Sequence, residues 1–238
     1  MLILGFQKTT LLDYPEHIAS TVFTGECNFR CPFCHNKDIV FASKSIQSQT
    51  LQPYSEEEVL QHLQKRKNVL TGVCITGGEP TLQPDLTEFL TKIKALGYQI
   101  KLDTNGYRPD TLISLVQGGL VDYVAMDIKN SPKKYAQTIG LSSCDISNIN
   151  RSIDYLIHGN HGISYEFRTT IVAELHTEED MREIATWLQG ANAYYLQSYT
   201  ESEQVIAPGY HAHSRETLLE FLNLCQNHIP NTFLRGID

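Results

Sequence analysis

The chain has 238 residues, of which 41% are hydrophobic and 19% charged, enough apolar content to bury a full core as one α/β domain spanning 1–238. Its formal net charge of -8 and the lack of a basic stripe disfavour nonspecific binding to nucleic acid or an anionic membrane, so a protein or small-molecule partner is expected. No apolar run approaches a membrane span, and Met1-Leu2-Ile3-Leu4-Gly5 lacks the pattern of a signal peptide, so a cytoplasmic location is expected.

In chain order, the residues before Ile18 read as a short lead-in hairpin. Strand-like runs follow at Ile18 to Thr24, Val73 to Thr76, Gln99 to Asn105, Tyr123 to Lys129, Tyr165 to Val172 and Ala193 to Tyr199. Between the first two lies a long insertion from Cys34 to Tyr54, whose polar stretch Ser43 to Gln49 predicts a mobile loop, either a lid or a solvated connection. The intervening helices carry their own punctuation. Ser55 with Glu58 predicts a capping box ahead of Val59 and Leu63; Asp85 with Glu88 predicts a similar start ahead of Phe89 and Ile93, with Gly97 as the stop. Ile149, Ile153 and Ile157 mark a further crossover. Thr177 with Asp180 opens the helix of Ile184 and Leu188, and Leu218 with Leu222 marks the last. Alternating strands and helices predict a parallel sheet, and six such units predict a partial (β/α)6 barrel with outer helices rather than a closed eight-stranded one.

The chemistry is concentrated in Cys27-Asn28-Phe29-Arg30-Cys31-Pro32-Phe33-Cys34, which places three thiols in one short loop. A structural zinc site closes on four ligands, usually as two separated pairs, and no second pair follows. Three thiolates instead suit a four-iron cluster with one iron left for an exogenous ligand. Of the other cysteines, Cys74 and Cys225 fall at apolar positions and read as core, whereas Cys144 sits in a polar loop and is expected to be exposed.

Further polar residues fall at the ends of predicted strands, where open-sheet and barrel enzymes build their sites. Thr76-Gly77-Gly78-Glu79-Pro80 offers two glycines that let backbone approach a ligand, with a carboxylate beside them able to pair with an ammonium group. Period two places Asp103 with Asn105 on one face, Asp127 with Lys129 on another, and Glu166, Arg168 and Thr170 on a third. Charges placed there need a polar ligand, an ion or one another. His211 and His213 have a metal-like spacing without further ligands, and read better as a solvated loop.

Asp13-Tyr14-Pro15, Thr21-Val22-Phe23 and the run from Cys27 to His35-Asn36 resemble the radical S-adenosylmethionine superfamily, and more narrowly the activating enzymes of glycyl-radical proteins. With Glu166-Phe167-Arg168-Thr169-Thr170 included, the chain is most similar to the activating proteins of anaerobic ribonucleoside-triphosphate reductase. The resemblance implies a [4Fe-4S] cluster held by Cys27, Cys31 and Cys34. It also implies S-adenosylmethionine contacts from Phe33, Cys34, His35, Gly77, Gly78, Glu79, Asp103, Asn105, Asp127, Lys129 and Arg168, with a monovalent cation near the two aspartates. The implied partners are a glycyl-radical enzyme and a reductant of the flavodoxin or ferredoxin type, under anaerobic conditions. Relatives usually carry Gly just before the first cysteine, where this chain has Glu26, so that turn is expected to differ. Two other readings are a radical enzyme acting on a small molecule, as in deazapurine biosynthesis, and a non-catalytic metal-binding module.

Overall fold

The structure, a computed structural model, describes residues 1–202 and 204–237. Contacts divide the chain into two compact units. The first contains Met1–Asn28, Asn36–Ala125 and His161–Ser164; the second contains Phe29–His35, Met126–Asn160 and Tyr165–Asp238.

In the first unit the lead-in segment forms β1 (Ile3–Thr10), antiparallel to β2 (Ala19–Thr24). Strand β2 runs parallel to β3 (Gly72–Gly77), in register from Ala19 opposite Gly72 to Thr24 opposite Gly77. Strand β3 in turn runs parallel to β4 (Gln99–Thr104). Strand β5 (Tyr123–Asp127) has residues in both units. The polar insertion departs from the expected mobile loop. It winds into two short helices, α1 (Lys37–Val40) and α2 (Ala42–Gln47), which bury Val40, Ala42 and Ser45. Helix α3 (Glu56–Arg66) begins at the predicted capping box, Ser55 with Glu58, and buries Val59 and Leu63. Helix α4 (Leu86–Ala95) buries Leu86, Phe89, Leu90 and Ile93, one apolar stripe at helical spacing. Asp85 precedes it without capping it, since its carboxylate is drawn to the Met1 ammonium instead. Helix α5 (Pro109–Gln117) starts with proline in its first turn, where the missing N–H costs nothing.

In the second unit β5 is followed in order by β6 (Ser164–Ile171), β7 (Tyr194–Ser198) and β8 (Thr232–Arg235). Both β6–β7 and β7–β8 are parallel. Strand β8 is one strand more than the six expected, and its four residues are too few for a clear alternation. A short helix α6 (Tyr135–Thr138) precedes α7 (Ile146–His158), which buries Ile149, Ile153 and Leu156 rather than Ile157. Helix α8 (Glu178–Trp187) starts at the predicted Thr177 and Asp180, which form a capping box, and α9 (Arg215–Gln226) turns Leu218, Phe221 and Cys225 inward, leaving Leu222 part-exposed. The fold is therefore α/β, with parallel strands in an open sheet.

Candidate functional site

In the first unit, Cys27 follows β2 through Gly25 and Glu26. Glu26 holds φ at 68°, the left-handed region that favours glycine, and this is the position where glycine was expected. Its N–H donates to the Ile39 carbonyl at 2.8 Å and its carbonyl accepts from Glu79 N–H at 2.8 Å. Gly78 lies so close that an added Cβ would stand 1.8 Å from the Glu26 oxygen; one on Gly77, at φ 120°, would stand 2.3 Å from Thr24 N. The two glycines thus clear space for the chain's own backbone at the entry to the cysteine loop.

Glu79 differs from the expectation of a carboxylate open to an ammonium group. It is 1% exposed, and its oxygens accept from Thr81 N–H, Thr81 Oγ1, Thr104 Oγ1 and Asn105 N–H at 3.1, 2.5, 2.8 and 2.7 Å. Burial pushes its pKa up, against the lowering pull of these donors. Glu79 therefore ties the turn after β3 to the end of β4. There Asp103 pairs with Lys101, a lysine 3% exposed whose Nζ also lies 3.8 Å from Cys74 Sγ. Asn105 donates to Asn28 Oδ1 at 2.8 Å and reaches Cys27 Sγ at 4.0 Å.

In the second unit, the stretch from Phe29 to His35 is fastened at several points. Arg30 N–H donates to Ile139 at 2.8 Å, Ala207 N–H to Pro32 at 2.8 Å, and Ile206 N–H to Cys34 at 3.2 Å. Gly140, at φ 68°, admits Arg30: a Cβ there would meet its carbonyl oxygen at 2.3 Å. Phe33 is buried and meets Tyr199 and Tyr210 edge-on, with ring centres 6.3 and 6.5 Å apart. His35 stacks on Tyr199 at 5.4 Å while its Nε2 contacts the Thr200 carbonyl at 2.6 Å. Tyr199 and Tyr210 were not anticipated as neighbours of Phe33; only Tyr199, at the end of a predicted strand, carried a positional signal.

Asp127 and Lys129, predicted to share a face, are paired, and Arg168, predicted on another face with Glu166 and Thr170, joins Asp127. Asp127 Oδ2 accepts from Lys129 Nζ and Oδ1 from Arg168 Nε, both at 2.9 Å. Burial would raise the Asp127 pKa, but Arg168 and Lys129 outweigh it and bring the carboxyl down to about 2. Burial would likewise lower the Lys129 pKa, yet Asp127 first, then Cys31 and Cys34, hold its ammonium well above the ordinary lysine range. Asp103 and Asp127 each have side-chain cations beside them, so the monovalent cation expected there finds no support. Glu166 is not in this group: it is held by Arg235 at 2.8 and 3.0 Å, whose guanidinium lies 3.4 Å over the Tyr195 ring. His176, also unanticipated, is buried behind Lys129, whose carbonyl it contacts at 2.9 Å. His211 pairs with Glu174 at 2.7 Å and His213 contacts the His176 carbonyl at 2.8 Å. Among the described residues no three His, Cys, Asp or Glu side chains gather around a single metal ion.

No disulfide joins the described cysteines. Cys74 and Cys225 are fully buried as expected, and burial pushes the Cys225 thiol up to about 12. Cys144 is only part-exposed, and burial first, then Asp145, raises its thiol pKa. The residues around the cysteine loop fit a sulfur-rich anionic group. Asn28 Nδ2 is a buried donor with no acceptor among the described residues, next in the chain to Cys27, and the charges of Cys31 and Cys34 help to raise the Lys129 pKa.

The chain thus combines an open α/β sheet, polar strand ends and a three-thiol loop. The description "Radical SAM superfamily" matches residues 21–188, and the chain belongs to that superfamily. Membership implies a [4Fe-4S] cluster and S-adenosylmethionine. Over its full length the chain is 30% identical to a putative glycyl-radical enzyme activating enzyme of Methanocaldococcus jannaschii, covering 97% of that protein. It is also 30% identical, over 56% of its length, to a probable GTP 3',8-cyclase of Thermococcus kodakarensis, covering 42% of that protein. Streptococcus suis SuiB shares the fold. Its S-adenosylmethionine-bound structure matches with TM-score 0.66 at 15% identity over 90% of this chain, and its structure with precursor peptide SuiA matches with 0.70 at 14% over 94%. This chain spans about half the length of the SuiB chains, 49% and 50%. Among the described residues no helix is long and apolar enough to cross a membrane.

Proposed function

We propose that this chain is a radical S-adenosylmethionine activase that generates a glycyl radical on a partner polypeptide, anaerobic ribonucleoside-triphosphate reductase being the partner that best suits the sequence. The observation that carries this reading is the full-length similarity to a putative glycyl-radical enzyme activating enzyme, joined to the three-thiol loop. Cys27, Cys31 and Cys34 would hold the cluster, which when bound supplies the electron that cleaves S-adenosylmethionine to a 5'-deoxyadenosyl radical.

The chain's own residues bind and orient. Lys129 and Arg168, aligned by Asp127, offer two cations to the methionyl carboxylate and ribose, a task that suits Arg for its planar fork and Lys for its point charge. Phe33 and His35, braced by Tyr199, offer aromatic surface and backbone to the adenine. Gly77 and Gly78 present backbone to the methionyl amine, with Glu79 acting as the brace that fixes their turn, and Asp103 and Asn105 complete the polar surface. A reductant of the flavodoxin or ferredoxin type would deliver the electron.

The test is an anaerobic incubation of reconstituted chain, S-adenosylmethionine, dithionite and anaerobic ribonucleoside-triphosphate reductase, read by electron paramagnetic resonance. A glycyl-radical doublet on the partner supports the reading; formation of 5'-deoxyadenosine with no radical on that or other glycyl-radical enzymes refutes it. A second reading, turnover of a small molecule, draws on the similarity to the GTP 3',8-cyclase and on 33% identity, over 36% of this chain, to a 7-carboxy-7-deazaguanine synthase of Neisseria meningitidis. Product formed from a purine nucleotide or deazapurine precursor without a protein partner would favour it.

A further inference from the structure

The amide of Asn28 has its orientation dictated from a distance. Tyr107 N–H donates to Asn105 Oδ1 at 3.0 Å, and since a backbone N–H can only donate, the Asn105 oxygen must face it. Asn105 Nδ2 is thereby turned towards Asn28, whose Oδ1 it meets at 2.8 Å. The Asn105 backbone is itself fixed by Glu79, which accepts its N–H at 2.7 Å. With its oxygen committed, Asn28 keeps its amino group for something else, and Nδ2 is buried with no acceptor among the described residues. Leaving such a donor unmade costs about 1–3 kcal/mol, and native proteins rarely tolerate it without a purpose. Asn28 is next in sequence to Cys27, and its side-chain oxygen lies 3.9 Å from Cys27 Sγ. The unpaired amino group therefore lies on a side chain that adjoins a thiol of the cysteine loop.

We propose that Asn28 is a positioning residue whose side-chain N–H donates to a sulfur of the iron-sulfur cluster, held in place by Asn105, and that this bond raises the reduction potential of the cluster. The proposal rests on the cofactor reading above. Its direction follows from charge: an N–H dipole aimed at cluster sulfur stabilises the more negative, reduced state more than the oxidised one. Replacing the donor by an apolar group of similar shape therefore makes the cluster harder to reduce.

The experiment is a potentiometric titration, followed by electron paramagnetic resonance, of anaerobically reconstituted full-length protein without S-adenosylmethionine, comparing the native chain with Asn28→Leu and Asn105→Leu. Asn28→Leu is expected to weaken reduction about tenfold, a fall of about 59 mV for one electron. Asn105→Leu is expected to move the potential the same way, because it frees the Asn28 amide to turn. A cluster that loads fully in Asn28→Leu with an unchanged potential overturns the proposal. So does an unchanged potential with weakened S-adenosylmethionine binding, which would assign the donor to that ligand. Should Asn28→Leu fail to load, the native protein labelled with 15N-asparagine decides: a nitrogen coupling to the reduced cluster in pulsed resonance supports the bond, and its absence overturns it. A native chain that assembles no four-iron cluster defeats the cofactor reading itself, an outcome distinct from all of these.

Discussion

His176 makes the stability of this protein depend on pH in a calculable way. Its Nδ1 accepts from Val172 N–H at 3.0 Å and lies 3.3 Å from the Val172 carbonyl, while its Nε2 donates to the Lys129 carbonyl at 2.9 Å, so the neutral ring is already bonded at both nitrogens. Burial lowers its pKa from 6.5 to about 4, against the raising effect of those backbone carbonyls. The unfolded chain then binds a proton that the folded chain refuses between pH 6.5 and 4, so stability falls as pH drops through that window. Integrated over the shift at 1.36 kcal/mol per unit, the loss is about 3 kcal/mol by pH 4, a large share of the 5–15 kcal/mol typical of a domain. Urea denaturation of the cluster-free protein at pH 7, 5.5 and 4.5 should show the midpoint falling, and His176→Gln should show a shallower fall even if it is less stable at pH 7. The same pH slope in both proteins would refute the reasoning.

Glu26→Gly should raise stability by about 1 kcal/mol, since glycine occupies the left-handed region without the Cβ conflict that Glu26 bears, and a lower thermal midpoint would show that the turn is not strained. Arg235→Ala removes both guanidinium bonds to Glu166, which is 1% exposed, and should cost about 2–3 kcal/mol in urea denaturation, below the range for a fully enclosed pair because Arg235 is partly exposed. Adding Glu166→Gln should recover part of that loss; no recovery would place the cost in packing against Tyr195. Cys31→Ala should leave far-ultraviolet dichroism intact while iron content and the cluster's visible absorbance collapse, and full iron loading in that variant would contradict the ligand assignment.

The parts of the structure legible in the sequence are those governed by local chemistry. The capping box at Ser55 and the helix start at Thr177 lie within four residues and formed where read. Period two brought Asp127 to Lys129, and the neighbouring strand brought Arg168 to Asp127. Long-range partners were not legible. Asp85 has the sequence of a cap but serves the Met1 ammonium, and Glu166 has the pattern of a site residue but answers Arg235, on a four-residue strand too short to read. Glu79 shows the same limit: the motif marked a turn worth attention, but only the fold shows that Thr81, Thr104 and Asn105 take up its carboxylate. Lys101 could have been found, since it stands two residues before Asp103 on one strand face.

The most direct test of the central claim is electron paramagnetic resonance on anaerobically reconstituted, reduced protein, recorded before and after adding S-adenosylmethionine. The account predicts a four-iron signal that shifts on addition, as it must if S-adenosylmethionine binds at the cluster. Protein prepared without air that carries zinc and gives no cluster signal, or a cluster signal indifferent to S-adenosylmethionine, would contradict it.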